Sequence, residues 1–307
     1  MAVPARVKMG WLELARGLAA LLVVISHGSL AGVPSQYFPF IVSLGTSAVA
    51  FFFVLSGFII LHIHGRDLGR PDMAANYAWR RVVRIFPTYW LVFTIDLSLH
   101  LFVGNRAGIA EMGLGWIVHE ALLLPGGQLY VSVAWTLRHE LLFYGLFLVA
   151  ILNRRAGALL FGCWFAIILD YFVTYAWEQD LSRPPLQTLT SPLNLCFFLG
   201  MAIAAFHQKW SQLFMSINAP AASLWFGAVS YPLYLVHLTI YFAMSGVFKR
   251  LGVDPSWLWR LAGAVVLSLA VAYVLARWFE RPVLEGLRRL SPDPLYRRSS
   301  IKLERTG

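Results

Sequence analysis

The chain has little charge and almost no cysteine. Only 13% of its 307 residues are charged, against roughly 25% in soluble domains, and 59% are hydrophobic, with a mean hydropathy of +0.66. Its two cysteines, Cys163 and Cys196, each lie in an apolar run, so the sequence implies neither a disulfide framework nor a cysteine metal site. Internal repeats, low-complexity tracts and metal-ligand spacings are also missing from the sequence. A soluble enzyme, a disulfide-stapled domain and a solenoid are therefore all excluded.

Long apolar runs are what the chain has instead, and several exceed the ~18 residues typical of a membrane span. We predict an all-α, polytopic transmembrane helical bundle of about 8–10 spanning helices, in one membrane domain (1–290) with a short, flexible basic tail (291–307). Weaker apolar stretches at 114–125 and 213–228 are candidates for short, re-entrant or additional helices. The clear spans are 11–32, 42–63, 82–103, 133–152, 157–176, 190–207, 224–247 and 258–279.

Basic residues outnumber acidic ones, 25 against 15, for a net charge of +10. With the N-terminus in the cytoplasm, most of these cations fall on the inner side and only four on outer loops, which matches the positive-inside rule with both termini cytoplasmic. The basic excess therefore reflects topology, together with membrane lipid at the basic tail, and no nucleic acid partner is expected. The four outer cations are Arg106, Arg183, Lys249 and Arg250.

The first apolar span carries two polar residues, Arg16 and His27, eleven positions apart. In a helix this spacing places both on one face, about 16 Å apart along the axis. An arginine in hydrocarbon costs at least ~2.5 kcal/mol, so an intramembrane Arg and His on one stripe indicate a functional site. Glu13, three residues before Arg16, is placed to pair with it. Alternatively, Arg16 extends to a lipid headgroup and His27 lies at the opposite interface.

Three arginines, Arg80, Arg81 and Arg84, stand at the inner mouth of the third span. They are either positive-inside anchors or a clamp for phosphate groups, which guanidinium forks bind well. In the fourth clear span Thr136, Glu140 and Tyr144 fall on one stripe. The expected cation for Glu140 is Arg16, one of the 80–84 group or Arg138, and the sequence does not decide.

A second polar stripe, made of Ser230, Tyr234, His237 and Tyr241, follows one face of the span 224–247. It either packs between helices or lines a substrate cavity.

Taken together, and in their order along the chain, these segments resemble acyltransferase family 3, the integral membrane acyltransferases. The Arg16–His27 spacing with an acid at Glu13 is one such feature, although aspartate is common there, and His139-Glu140 replaces a frequent Glu-Glu pair. The chain looks most like the exopolysaccharide acetyltransferases of the succinoglycan type. The matching segments are FFFVLSGF at 51–58, RRVVRIFPTY at 80–89, WTLRHELLFY at 135–144, SYPLYLVH at 230–237 and ERP at 280–282.

The resemblance implies a multi-pass protein of the bacterial inner membrane that moves an acetyl (or other small acyl) group from cytosolic acyl-CoA, usually acetyl-CoA. The acceptor it implies is a sugar hydroxyl of an exported polysaccharide or its lipid-linked precursor. Acetyl-CoA is then a donor substrate, and no permanently bound cofactor or metal is expected. A sugar hydroxyl needs a base, for which histidine suits, and the thioester carbonyl needs a donor such as arginine. The expected residues are His27, Arg16 and Glu140 for catalysis, Arg80, Arg81 and Arg84 for CoA, and Ser230, Tyr234, His237 and Tyr144 for substrate.

Proteins of another class, ion-coupled transporters, also use intramembrane Arg, His and Glu. The sequence contains no inverted repeat or pair of broken helices, which argues against this class. A membrane scaffold would not need an arginine and a histidine on one intramembrane face.

Overall fold

Every regular element in the described part of the chain is helical, in agreement with the predicted all-α class. The structure is a computed structural model, and it describes residues 10–103, 106–126, 129–175, 186–206 and 222–292. The α-helices are α1 (Gly10–Ser26), α2 (Phe38–His64), α3 (Ala74–Val103), α4 (Arg106–Ala121), α5 (Trp135–Leu152), α6 (Arg154–Tyr175), α7 (Leu186–Thr190), α8 (Leu195–Phe206), α9 (Ala222–Leu251), α10 (Trp257–Leu275) and α11 (Arg281–Arg289).

Within the described residues, six helical segments are long and apolar enough to cross a membrane, which confirms a polytopic helical protein. Two other predicted spans, 11–32 and 190–207, form the shorter helices α1 and α8. The weak stretch 114–125 lies mostly in α4. Residues 213–221 and 293–307 fall outside the described part, and 222–228 begin α9. The six segments are Ser35–Asp67, Pro71–Leu99, Ser132–Leu152, Arg154–Thr174, Ser223–Leu251 and Trp257–Arg289.

The chain divides into two compact units, residues 1–62 with 199–276 (the first unit) and residues 63–198 with 277–307 (the second unit). The centre of the first unit is the pair α1 and α9. A Cβ atom added at Gly227 of α9 would collide with the side chain of Glu13, and one added at Gly17 of α1 would collide with Phe226. Glycine at these positions therefore permits the close backbone approach that membrane helices use in place of a hydrophobic driving force.

The second unit is built around α3 and α5, with α6 and α7 packed on α5. Its core is aromatic: the rings of Phe143 and Phe197 stack with centroids 4.5 Å apart, and both side chains are fully buried. The indole N–H of Trp164 donates to the carbonyl of Leu189 at 2.8 Å and ties α6 to α7. At the other end α11 returns to α3, where Trp79 donates to the carbonyl of Leu287 at 3.2 Å.

Candidate functional site

His27 is the residue immediately after α1, since the helix ends at Ser26 and a 3₁₀ turn follows from Gly28 to Ala31. The predicted span 11–32 is therefore not one continuous helix, and His27 lies between α1 and this turn with its ring half-buried. Its Nδ1 lies 2.9 Å from the carbonyl oxygen of Val23. Because a carbonyl can only accept, Nδ1 carries the hydrogen and Nε2 of the neutral ring keeps its lone pair.

His237 of α9 lies against His27, with ring centroids 4.8 Å apart. Its Nδ1 donates to the carbonyl of Tyr234 at 2.7 Å, and its Nε2 is 3.3 Å from Nδ1 of His27. The two imidazoles are separated by 210 positions in the sequence and meet because α1 and α9 pack parallel and close. Within the first unit, His27 therefore contacts His237, which the sequence predicted to bind substrate.

The other members of the second polar stripe differ in what they contact. Ser230 is buried, and its hydroxyl donates to the carbonyl of Gly227 at 2.8 Å within its own helix. Tyr241 is buried and donates to the carbonyl of Val24 in α1 at 3.0 Å. Tyr234 is also buried, with its ring edge-on to Phe52 of α2. The stripe therefore packs α9 against α1 at Tyr241 and His237.

Arg16 forms an ion pair with Glu13, with 3.2 Å between Nη1 and Oε2. This confirms the pairing predicted from the i, i+3 spacing. Both side chains are partly buried on α1, and Glu13 also faces Gly227 of α9. The carboxylate offsets the charge of an arginine that would otherwise be costly in an apolar helix.

The three arginines of α3 lie in the second unit, and each has a different set of neighbours. Arg84 pairs with the buried Glu280, with 2.6 Å between Nη1 and Oε1. Arg80 donates from Nε to the side-chain amide oxygen of Asn76 at 3.0 Å. Of the three arginines predicted to clamp phosphate groups, Arg84 is thus paired with a carboxylate and Arg80 with an amide.

Arg81 is surrounded by rings. Its guanidinium carbon lies 5.6 Å from the centroid of Tyr77 and 5.5 Å from that of Tyr144. Its Nη2 donates to Nε2 of His64 at 3.4 Å, and Nδ1 of His64 donates to Asp67 at 2.8 Å. In the described part of the chain no carboxylate lies within ion-pairing distance of Arg81, so its charge is held by aromatic faces and an imidazole.

Glu140 accepts a hydrogen bond from the hydroxyl of Tyr144, one turn later on α5. The sequence had left its partner open among several arginines. Tyr144 also accepts a hydrogen bond at its backbone carbonyl from Tyr77, at 3.3 Å. Tyr144 therefore touches both Glu140 and the ring cage of Arg81, so three of the predicted site residues form one cluster in the second unit.

A buried carboxyl that was not predicted from the sequence is that of Glu120, in the last turn of α4. Its Oε1 accepts from the backbone N–H groups of Tyr130 and Val131 at 3.2 and 3.3 Å and from the hydroxyl of Tyr89 at 3.2 Å. Burial raises the pKa of the Glu120 carboxyl, and these hydrogen bonds together with the charge of Arg138 oppose the rise. A lone glutamate in the apolar stretch 114–125 was the signal that could have found it.

The predicted residues therefore form two groups, each within one unit. Arg16, His27, Ser230, Tyr234 and His237 lie in the first unit, and Arg80, Arg81, Arg84, Glu140 and Tyr144 in the second. Among the described side chains no cluster of three metal-ligating residues occurs. The chemistry available is an imidazole base in one unit and a set of guanidinium groups suited to phosphate in the other.

Comparison with known proteins gives one family and three relatives. A family model described as an acyltransferase domain matches residues 9–227. The chain is 26% identical over 252 residues to the O-acetyl transferase of Shigella phage Sf6, an alignment that covers 73% of this chain and 71% of that protein. It is 27% identical over 179 residues to the exopolysaccharide production protein ExoZ of Rhizobium meliloti (strain 1021), covering 54% of this chain and 52% of that protein.

The third relative is protein 2 in the picA locus of Rhizobium radiobacter, 28% identical over 146 residues, or 41% of this chain and 73% of that protein. No solved structure matches the chain significantly. The family match supports an acyltransferase over a transporter. Because the matched region is more than half of the chain and the described helices include six candidate membrane spans, this protein belongs to acyltransferase family 3, the integral membrane acyltransferases.

Proposed function

We propose that this protein is an integral membrane O-acetyltransferase of the bacterial inner membrane. It transfers the acetyl group of cytosolic acetyl-CoA to a sugar hydroxyl of an exported polysaccharide or of its lipid-linked precursor. The observation that carries the proposal is the setting of His27, whose Nδ1–H is anchored on the carbonyl of Val23 and whose Nε2 is left with a lone pair. The names of the phage and Rhizobium relatives support the choice of acetyl group and of polysaccharide.

In the reaction, Nε2 of His27 takes the proton of the acceptor hydroxyl as its oxygen attacks the thioester carbonyl carbon. The new C–O bond forms, the C–S bond breaks, and the leaving CoA thiolate takes the proton back from the imidazolium. A positioned base of this kind contributes typically 10²–10⁴-fold to rate. Arg16 is the proposed donor to the carbonyl oxygen, where negative charge develops.

The arginines of α3 are the proposed contacts for the CoA phosphates. Planar guanidinium groups match phosphate oxygens in geometry as well as charge. Among the three, Arg81 suits this role best, because aromatic faces hold its guanidinium without neutralising it. Glu140 and Tyr144, which contact each other beside Arg81, are assigned to the same donor region, and Tyr234 to the acceptor.

The test is the acetyl content of surface polysaccharide from cells that lack the gene and carry wild type, His27→Ala or His62→Ala. We expect wild type to restore an acetyl increment in the mass spectrum and His27→Ala to lose it, a fall of at least ~100-fold in rate. His62, an exposed histidine of α2, is the matched control, and its variant should acetylate normally.

Equal membrane amounts of the three proteins are confirmed by immunoblot. Near-normal acetylation by a well-expressed His27→Ala protein would contradict the assigned base. If wild type adds no acetyl group to any glycan, the enzymatic proposal itself is wrong.

A further inference from the structure

The side chain of His237 is fully enclosed, with 0% of its surface exposed. Its Nδ1–H is committed to the carbonyl of Tyr234 at 2.7 Å, so its Nε2 is the unprotonated nitrogen and can only accept. The neighbour of that lone pair is Nδ1 of His27, 3.3 Å away. A fully enclosed ring with both nitrogens engaged is poorly placed to bind a sugar.

Nδ1–H of His27 therefore lies between two acceptors, the carbonyl of Val23 at 2.9 Å and the imidazole of His237 at 3.3 Å. Shared hydrogen bonds of this kind are common at helix ends. Both contacts require the same tautomer, with hydrogen on Nδ1 and the lone pair on Nε2. The carbonyl is local to α1, whereas the imidazole comes from α9 and fixes the ring from a second direction.

We propose, on the basis of the function given above, that His237 is the positioning residue of the catalytic base rather than a contact for the acceptor. Together with the carbonyl of Val23, it favours the tautomer of His27 that presents Nε2 to the hydroxyl, and it holds the plane of the ring from the side of α9. This is the arrangement of a nucleophile, a base and an orienting group, with a neutral imidazole in the place of the orienting group.

A neutral orienting group fits this location for an energetic reason. When His27 takes the proton, its Nδ1–H becomes a stronger donor, and both acceptors stabilise the transient charge in surroundings of low dielectric constant. A carboxylate enclosed at the same place would carry its own desolvation cost in every resting state of the protein. Two other polar groups lie nearby. Tyr241 donates to the carbonyl of Val24. Ser26 donates to the carbonyl of Val23, and its oxygen lies 3.5 Å from Nδ1 of His27, farther than the imidazole of His237.

The experiment measures kcat and KM of purified protein in liposomes, with labelled acetyl-CoA and surface polysaccharide from cells that lack the gene as the acceptor. His237→Met removes the acceptor with little change in volume, and His237→Gln keeps an oxygen near the position of Nε2. We expect His237→Met to lower kcat by ~10–100-fold, the range seen for groups that orient a histidine. The KM for acetyl-CoA and the KM for the polysaccharide acceptor should both stay at their wild-type values. The variant His237→Gln should recover a large part of kcat.

The matched control is His139→Met, because His139 is another buried histidine whose Nδ1 contacts a neighbouring residue, Asn194, at 2.8 Å. Its variant should keep the wild-type kcat. If His237→Met does not fold, His237→Leu, which also removes the acceptor, is compared with wild type for kcat and for the rate at which diethyl pyrocarbonate modifies His27. An unchanged kcat together with unchanged reactivity then overturns the proposal, and a fall in kcat with altered reactivity supports it.

A raised acceptor KM with kcat retained would show that His237 binds the sugar and would overturn the positioning role. Equal losses for the Met and Gln variants would do the same, because they would mean that the acceptor atom is irrelevant. Absence of transfer by wild type would reject the proposed function and, with it, this role. A wild-type kcat in both His237→Met and His237→Gln would reject the positioning role alone.

Discussion

At the scale of single residues, the setting of Arg81 distinguishes it from its neighbours on α3. Arg84 is paired with a carboxylate, whereas Arg81 lies beside two tyrosine rings and an imidazole. Cation–π contacts hold a guanidinium in place without cancelling its charge. The N–H groups at its edge therefore still attract an anion. Stacking of this kind also depends on a planar group, which lysine does not supply.

Replacing Arg81 with methionine should therefore weaken CoA binding more than it weakens folding. A hydrogen bond to a charged group contributes about 1.5–3 kcal/mol, which corresponds to roughly a 10–100-fold rise in Kd. Arg81→Lys should recover only part of this affinity. The measurement is calorimetric titration of CoA into purified protein.

Arg70 provides the control, because it is an exposed arginine near the start of α3 that pairs with Asp72. Its methionine variant should bind CoA as wild type does. An unchanged Kd in a folded Arg81→Met protein would mean that this arginine only anchors the helix.

At the scale of elements, an ion pair between Arg84 and Glu280 links α3 to the segment that leads into α11. Glu280 ends a π-helical turn (Ala276–Glu280) and is 5% exposed, while the side chain of its partner Arg84 is 35% exposed. The indole of Trp79 adds a hydrogen bond to α11 one turn earlier on α3. Removing one partner of a buried pair leaves an uncompensated charge, which costs more than losing both.

Glu280→Ala should therefore destabilise the protein by about 2–3 kcal/mol, at or below the lower end of the range for buried pairs because Arg84 is partly solvated. The double variant Arg84→Met with Glu280→Ala should be less destabilised than the two single effects predict by addition. Thermal unfolding in detergent, followed by tryptophan fluorescence, measures both. Strict additivity would show that the pair is not coupled.

How well sequence predicted each element depends on whether the signal was local. Each of the eight clear apolar runs corresponds to a helix, because hydrophobic length alone identifies a membrane helix. The end of α1 one residue before His27 was not predicted, since nothing in an apolar run marks where a 3₁₀ turn begins. Contacts at i, i+3 and i, i+4, such as Glu13 with Arg16 and Glu140 with Tyr144, follow from helix geometry.

Contacts between segments that are far apart in the sequence could not be predicted, because they have no local signal. Neither the meeting of His27 with His237 nor that of Arg84 with Glu280 has a local signal, because both depend on which helices pack together. Gly17 and Gly227 were a weak indication that α1 and α9 approach closely. A single sequence does not say which small residues face one another.

At the scale of the whole molecule, Glu120 couples stability to pH. Burial raises the pKa of this carboxyl above its ordinary value near 4.5, so the folded protein holds the proton more tightly than the unfolded chain. The resulting stabilisation is complete below the unfolded pKa and is lost as the pH rises through the folded pKa. Its hydrogen bonds to Tyr130 and Val131 tie the segment after α4 to the rest of the second unit.

Glu120→Gln should remove this dependence while keeping an oxygen for the same donors. As the pH rises from about 4.5 to about 8, the apparent unfolding temperature of wild type should fall relative to that of the variant. Asp72→Asn, a change at a 61% exposed acid, should follow wild type throughout. Parallel curves for wild type and Glu120→Gln would show that the carboxyl titrates alike in both states.

His27 and His237 are 210 positions apart, so the ribosome synthesises them at different times. At about 5–20 residues per second, a ribosome makes His27 some 10–40 s before His237 exists. During that interval the contacts available to the ring are local ones, with the carbonyl of Val23 four residues earlier and the hydroxyl of Ser26. On the role proposed for His237, the site is complete only when the ninth helix has been synthesised and packed against the first.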